Sequence, residues 1–249
     1  MRHLGDIGGK GSCRSTIIVP AYNEEHRIGP TLYRYLNYFD EETEVMVVLN
    51  GCRDRTLEVV CGYMQEHPNL RVIDEPGVVG KGGAITLGFS RARGDVVAYT
   101  DADGATSPEE LDWLINSIGN HGGIIGSRWI DKELVRRRQT LFRRIASRLF
   151  NMMVRIMFNL PYHDTQCGAK AFKREAVEAI VDDLGTTNLA FDVDVLYLMR
   201  KNGYVLREVP TAWDDRPGSK IKMRREAPRM LKALIRMRIK HSRFKDLVK

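Results

Sequence analysis

The chain has 249 residues, 43% of them hydrophobic, and a formal net charge of +7, which predicts a globular protein able to bury a sizeable core as one domain with appendages. No uninterrupted apolar run approaches the roughly 20 residues of a spanning helix, which excludes an unaided membrane crossing. Cys13, Cys52, Cys61 and Cys167 show neither a C-x-x-C pair nor zinc spacing, which fits reduced thiols in a cytosolic setting rather than a disulfide framework.

The charge is unevenly placed. Residues 216–249 carry 13 Lys/Arg against 2 Asp/Glu, or +11, leaving −4 for the rest, and Arg136 to Arg138, Arg143, Arg144 and Arg148 form a second basic cluster. The glycine-rich start, residues 1–14, reads as a flexible tail, 15–221 as the folded domain and 222–249 as a basic amphipathic tail.

In chain order, Ser15 to Pro20 and Glu44 to Leu49 are short β-branched runs, separated by a stretch with helical spacing at Ile28, Leu32, Tyr35, Leu36 and Phe39. The alternation continues with a helix over Thr56 to Glu66, a strand over Leu70 to Asp74, a helix over Gly82 to Arg93 and a strand from Asp95 to Thr100. Ser107-Pro108-Glu109-Glu110 has capping-box spacing with proline at the first helical position, and predicts a helix through Leu111 to Gly119. A strand over Gly123 to Arg128, a basic and apolar segment from Arg136 to Leu160, a polar, glycine-broken stretch at His163 to Phe172, a helix over Phe191 to Lys201 and a strand over Val205 to Val209 follow. Strands and helices alternating in this way predict an α/β fold with a mostly parallel, doubly wound sheet, whose ligands sit beyond the carboxyl ends of the strands. Asn23, Asn50 and Asp101 each follow such an end and converge on one crevice.

Asp101 and Asp103 suit a hard divalent cation whose other ligands are phosphate oxygens and water, although a lone D-x-D also serves as turn chemistry. Gly80-Lys81-Gly82-Gly83 precedes a helix, so it reads either as a cradle for a diphosphate or as a helix-entry turn; it lacks the spacing of a Walker A motif. In Pro20-Ala21-Tyr22-Asn23-Glu24-Glu25, Asn23 is a candidate cap for the next helix as well as a ligand residue.

Together these stretches resemble the family 2 glycosyltransferases with the GT-A fold, a Rossmann-like single domain, over about residues 15–220. PAYNE at 20–24 matches one nucleotide-holding stretch; in the second, Asn50 stands at an acidic position, while Asp54 and Thr56 keep the family's places. DADGAT at 101–106, GKGGA at 80–84, DTQCGAKAF at 164–172 and FDVDVL at 191–196 look most like the dolichyl-phosphate glucose synthases. The resemblance implies inverting transfer of a hexose from a UDP-glucose-like or GDP-mannose-like donor to a polyprenyl or dolichyl phosphate, with Mg2+ or Mn2+ at Asp101 and Asp103. It implies donor contacts from Pro20, Tyr22, Glu24, Asn50, Lys81, Asp101 and Ala102, and catalytic roles for Asp103 and Arg216.

A phosphate monoester is already anionic, so its site needs cations more than a base. Arg128, Arg143, Ser147 and Lys220 are candidates for the acceptor phosphate, with Arg216 beside it; arginine's planar fork suits phosphoryl oxygens. Asp192 and Asp194 are candidate bases for a relative that glycosylates hydroxyls, and Asp192 is equally a candidate cap. Met230, Leu231, Leu234 and Ile235 recur at helical spacing among Arg229, Lys232, Arg236 and Lys240, as in a helix lying on anionic headgroups; Leu149 to Leu160 fits either that interface or a core helix. The expected setting is peripheral attachment to the cytoplasmic face of a membrane, with a membrane-embedded partner protein as a further expectation. A soluble transferase acting on a saccharide hydroxyl is the rival enzyme reading. The +11 tail also prompts nucleic-acid binding, but it carries no reading motif, so nucleic acid is not expected as a partner.

Overall fold

The computed structural model describes residues 6–7, 13–131, 133–137, 141–214 and 223–241. Its strands are β1 (Asp6–Ile7), β2 (Ser15–Ala21), β3 (Thr43–Asn50), β4 (Leu70–Glu75), β5 (Val96–Tyr99), β6 (Gly123–Ser127), β7 (Val135–Arg137), β8 (Lys170–Lys173), β9 (Leu206–Pro210) and β10 (Trp213–Asp214). Eight of them form one sheet in the order β1-β4-β3-β2-β5-β8-β6-β9, while β7 and β10 pair separately. The β4-β3-β2-β5 core is parallel and so is the β6-β9 pair; β8 runs antiparallel between β5 and β6, and β1 antiparallel beside β4. The helices are α1 (Ile28–Tyr38), α2 (Thr56–Met64), α3 (Gly80–Arg91), α4 (Pro108–Asn116), α5 (Leu141–Phe158), α6 (Arg174–Glu178), α7 (Phe191–Lys201) and α8 (Met223–Lys240).

Strand residues alternate between two apolar layers, as the period of two requires. Ile17, Val19, Val45, Val47 and Leu49 pack under Ile28, Leu32 and Tyr35 of α1, Val60 of α2 and Leu111 and Leu114 of α4. Ile18, Met46, Val48, Val97 and Tyr99 pack on the other face against Ile85 and Phe89 of α3, Val154 and Phe158 of α5 and the buried side of α7. At the amino ends of the strands, Glu44 accepts from Thr16 Oγ1 at 2.9 Å and Arg71 Nη1 at 3.2 Å, a buried network that leaves the carboxyl ends as the open edge.

The capping box forms: Ser107 Oγ accepts from Glu110 N at 3.2 Å, with Pro108 opening α4. Three local readings are corrected. The stretch ending at Phe172 is polar and glycine-broken in sequence, yet it supplies β8, because Ala171 and Phe172 bury while Lys170 finds a partner inside. Asn23 does not cap α1, which starts at Ile28; it sits at φ 54° and accepts from Arg53 N at 2.8 Å through Oδ1. Asp192 does not cap α7 but lies within its first turn.

Helix α8 is also more than an appendage. Met230, Leu234 and Met237 are buried in the same cluster as α3 and α7, while Leu231 and Ile235 stay exposed, so only part of the apolar stripe remains outward. Among the described residues no helix is long and apolar enough to cross a membrane.

Candidate active site

Beyond the carboxyl ends of β2, β3 and β5 lies a cavity of about 740 Å³. The loops after β2 and β3 form one wall, and they are stitched to each other. Glu24 N donates to Thr56 Oγ1 at 2.7 Å, Glu25 N to Asp54 Oδ2 at 3.3 Å, and Asp54 Oδ1 accepts from the Thr56 amide at 3.1 Å. Asp54 and Thr56 therefore hold the wall together. Glu24 lines the cavity, but both its oxygens are taken by Arg27, at 2.6 Å each, a fork the sequence reading missed although the i,i+3 spacing carries it. Arg27 Nη1 finds no hydrogen-bond partner among the described residues and lies 3.9 Å from Asp103 Oδ2.

The glycines at the start of α3 serve packing. Gly80 has φ 78°, and a Cβ there would strike the Thr187 carbonyl; at Gly82 a Cβ would meet the Thr186 carbonyl at 2.5 Å and Phe191 at 2.6 Å. The 185–190 segment thus lies against the helix entry, with Gly82 N donating to Thr187 O at 2.8 Å. Asn50 Oδ1 accepts from Val79 N at 2.7 Å and Gly80 N at 3.2 Å, so its oxygen caps this turn and its amide nitrogen is left for the cavity. These bonds occupy amides that a diphosphate cradle would have needed, and the lysine remains as the segment's charged contribution.

Lys81 Nζ lies 2.5 Å from Asp101 Oδ1. Burial works against both charges, but each holds the other ionised: the Asp101 carboxyl falls below the ordinary aspartate range and the Lys81 ammonium rises above its own. Asp103 goes the other way, raised by burial and by the neighbouring Asp101 charge, with one bond from Ala105 N at 3.1 Å. Gly168 makes room for this pair, since a Cβ there would run into Asp101 Oδ2. Pro20, Tyr22, Glu24, Asn50, Lys81, Asp101, Ala102 and Asp103 all line this cavity.

The described wall carries four carboxylates, Glu24, Asp101, Asp103 and Glu226, against three cations, Arg27, Lys81 and Arg229. Each cation is paired with a carboxylate, leaving Asp103 with the longest ionic contact. A diphosphate entering such a wall needs a counter-cation, and a carboxylate pair whose members repel is a fitting anchor for one. Among the described residues no group of three His, Cys, Asp or Glu side chains is placed to hold a metal, so remaining ligands would come from substrate and water.

The other candidates fall elsewhere. Arg128 forms a fork on buried Asp164, at 2.7 and 2.9 Å, and stacks over Trp213; burial opposes its charge but Asp164 raises its pKa above the ordinary value, so this guanidinium is already paired inside the protein. Asp192 is buried, accepting from Lys170 Nζ and Tyr99 OH at 2.6 Å each. Asp194 Oδ2 accepts from Gly185 N at 3.1 Å and Thr186 N at 3.0 Å. Neither carboxylate lines the cavity: Asp192 is committed to Lys170 and Tyr99 in the core, and Asp194 holds the amides of the segment that lies against α3. Ser147 is half-buried on α5 with its carbonyl accepting from Asn151. The Arg143 side chain, Arg216 and Lys220 lie outside the described residues.

Residues 16–181 match the profile described as Glycosyl transferase family 2. A dolichyl-phosphate beta-glucosyltransferase of Trichomonas vaginalis is 31% identical over 223 residues, covering 84% of this chain and 66% of that protein. The Homo sapiens protein of that name is 33% identical over 224 residues, covering 83% and 69%. The chain thus spans about two thirds of the length of these relatives. Among solved structures, glucosyl-3-phosphoglycerate synthase from Mycobacterium tuberculosis in complex with UDP superposes with a TM-score of 0.68 at 16% identity, covering 91% of this chain and 79% of that one. A mannosyltransferase from Pyrobaculum calidifontis, in complex with GDP-Man and Mn2+, gives 0.60 at 21% identity, covering 91% and 65%. These two likenesses carry the fold, the profile and the relatives carry the lineage, and the chain belongs to glycosyl transferase family 2 as a glycosyltransferase.

Proposed function

We propose that this enzyme transfers glucose, with inversion, from a nucleoside-diphosphate sugar of the UDP-glucose type to a polyprenyl or dolichyl phosphate. The observation that carries the acceptor class is the commitment of Asp192 and Asp194 to buried bonds. A hydroxyl acceptor needs a base to take its proton; a phosphate monoester arrives ionised and needs only placement. The names of the relatives supply the sugar and the lipid.

In this reading Tyr22, Asn50 and Ala102 flank the nucleoside, Lys81 adds charge beside the diphosphate, and Asp101 and Asp103 hold Mg2+ or Mn2+. The metal would neutralise charge developing on the departing diphosphate. Lys81 keeps Asp101 ionised and Arg27 stands behind Asp103. Arg143, Ser147, Arg216 and Lys220 are proposed to receive the acceptor phosphate.

A lipid acceptor requires a face that meets the bilayer. Leu149, Met152 and Ile156 of α5 are 55%, 54% and 77% exposed at helical spacing, beside exposed Arg148 and Arg155, and Leu231 and Ile235 of α8 are exposed among Lys232 and Arg236. These support peripheral attachment, proposed here at a cytoplasmic membrane face. The test is incubation of the purified chain with a panel of radiolabelled nucleotide sugars, polyprenyl phosphate and Mg2+ or Mn2+, followed by organic extraction. Label from UDP-glucose should dominate the organic phase; preference for another donor, or label that stays aqueous, overturns the assignment.

A further inference from the structure

The cavity has a wall that no upstream motif supplies. Glu226 and Arg229, on the first turns of α8, line it together with Lys81, Asp101 and Asp103. The helix is anchored by Met230, Leu234 and Met237 in the core. It is also tied to the segment that leans on α3: Asn188 Nδ2 donates to Arg229 O at 3.3 Å, and Lys240 Nζ to Asp183 O at 3.1 Å. Arg229 Nη1 is 2.8 Å from Glu226 Oε1, yet its side chain is 64% exposed, so the fork can leave this partner without breaking core packing.

We propose that Arg229 is a phosphate-contacting residue of the active site, contributed by α8, and that Glu226 competes with the substrate for it. The proposal rests on the reading of the cavity as a nucleoside-diphosphate site. A phosphoryl oxygen offers Arg229 a bidentate partner of higher charge than the Glu226 carboxylate. On binding, the guanidinium exchanges Glu226 for phosphate, and α8, which also presents Leu231 and Ile235 outward, becomes part of the substrate complex. The phosphate is that of the donor diphosphate or that of the acceptor monoester, and the two are separable by experiment.

The test compares Arg229→Ala, Arg229→Lys and Glu226→Gln with the wild-type full chain, using calorimetry with UDP and Mg2+ and steady-state transfer to a short, water-soluble prenyl phosphate. Removing a charge-assisted contact of this kind should weaken its ligand by about tenfold. A loss of UDP affinity in Arg229→Ala places the contact on the diphosphate; a raised KM for prenyl phosphate with unchanged UDP affinity places it on the acceptor. Arg229→Lys should recover part of the loss. Glu226→Gln should move the same constant in the opposite direction, toward tighter binding, because the competitor is gone. If the pair is only a structural tie, Glu226→Gln and Arg229→Ala will weaken binding alike, and that result overturns the proposal, as does an Arg229→Ala protein of wild-type melting temperature with both constants unchanged. Absence of any nucleoside-diphosphate binding by the wild-type chain would remove the reading of the cavity, and this proposal with it.

Discussion

The proposed metal role of Asp103 needs an ionised carboxylate at a place where burial and the Asp101 charge both favour its protonated form. A bound divalent cation relieves that conflict, so metal affinity should fall on acidification. Because the Asp103 carboxyl is raised, the fall should begin at a higher pH than an ordinary aspartate would give, with protons displacing metal as pH drops through that raised value. Calorimetric titration of Mn2+ in the presence of UDP between neutral and acidic pH reads this directly. Asp103→Asn keeps the shape and removes the charge; transfer should drop by about a hundredfold or more with little change in melting temperature. Asp192 predicts the reverse pattern. Its carboxylate neutralises Lys170, whose side chain is fully buried, so Asp192→Ala strands a cation and should cost about 3–5 kcal/mol of stability in denaturant unfolding. A stable Asp192→Ala protein lacking turnover would restore its reading as a base. Cys167 is buried and its thiol is pushed up to about 12 by that burial, so it should resist alkylation until the chain unfolds.

The parallel strands were legible element by element, because Ser15–Ala21, Thr43–Asn50 and Leu70–Glu75 are short β-branched runs separated by helical spacing. The capping box at Ser107 was legible for the same reason: its chemistry is local. What escaped reading was held by distant partners. Lys170 leaves β8 inside a polar, glycine-broken stretch with no element assigned until Asp192, 22 residues on, is seen to neutralise it, and Arg128 looks free until Asp164, 36 residues on, closes its fork. The glycines of the GKGG turn fit either a diphosphate cradle or a helix-entry turn in sequence, and the Thr186 and Thr187 carbonyls packed against them favour the turn. Gly82→Ala should therefore destabilise by about 1–3 kcal/mol through backbone displacement of the 185–190 segment, and should weaken UDP binding in consequence. Thermal unfolding and calorimetry on the same variant check both effects; a fully stable variant would show that the segment yields.

At the scale of the molecule, a basic amphipathic helix has the same sequence signature whether its apolar stripe meets lipid or core, and α8 divides its stripe between the two. Removing residues 222–249 should for that reason unfold or severely destabilise the protein, since Met230, Leu234 and Met237 leave a large hole over α3 and α7. Attachment is better tested with α5. Replacing Leu149, Met152 and Ile156, all exposed, by serine should leave the melting temperature nearly unchanged and sharply reduce sedimentation with anionic liposomes. Wild-type sedimentation should fall as salt rises, since screening acts within about 8–10 Å at moderate ionic strength. The central claim is that this enzyme glycosylates a phosphate and needs no base to do so. It is tested most directly by offering the full chain radiolabelled UDP-glucose and Mg2+ with either a polyprenyl phosphate or the corresponding polyprenol. Label should enter the organic phase with the phosphate alone, and disappear with excess chelator; label transferred to the polyprenol, or to a free saccharide in preference to both, would contradict it.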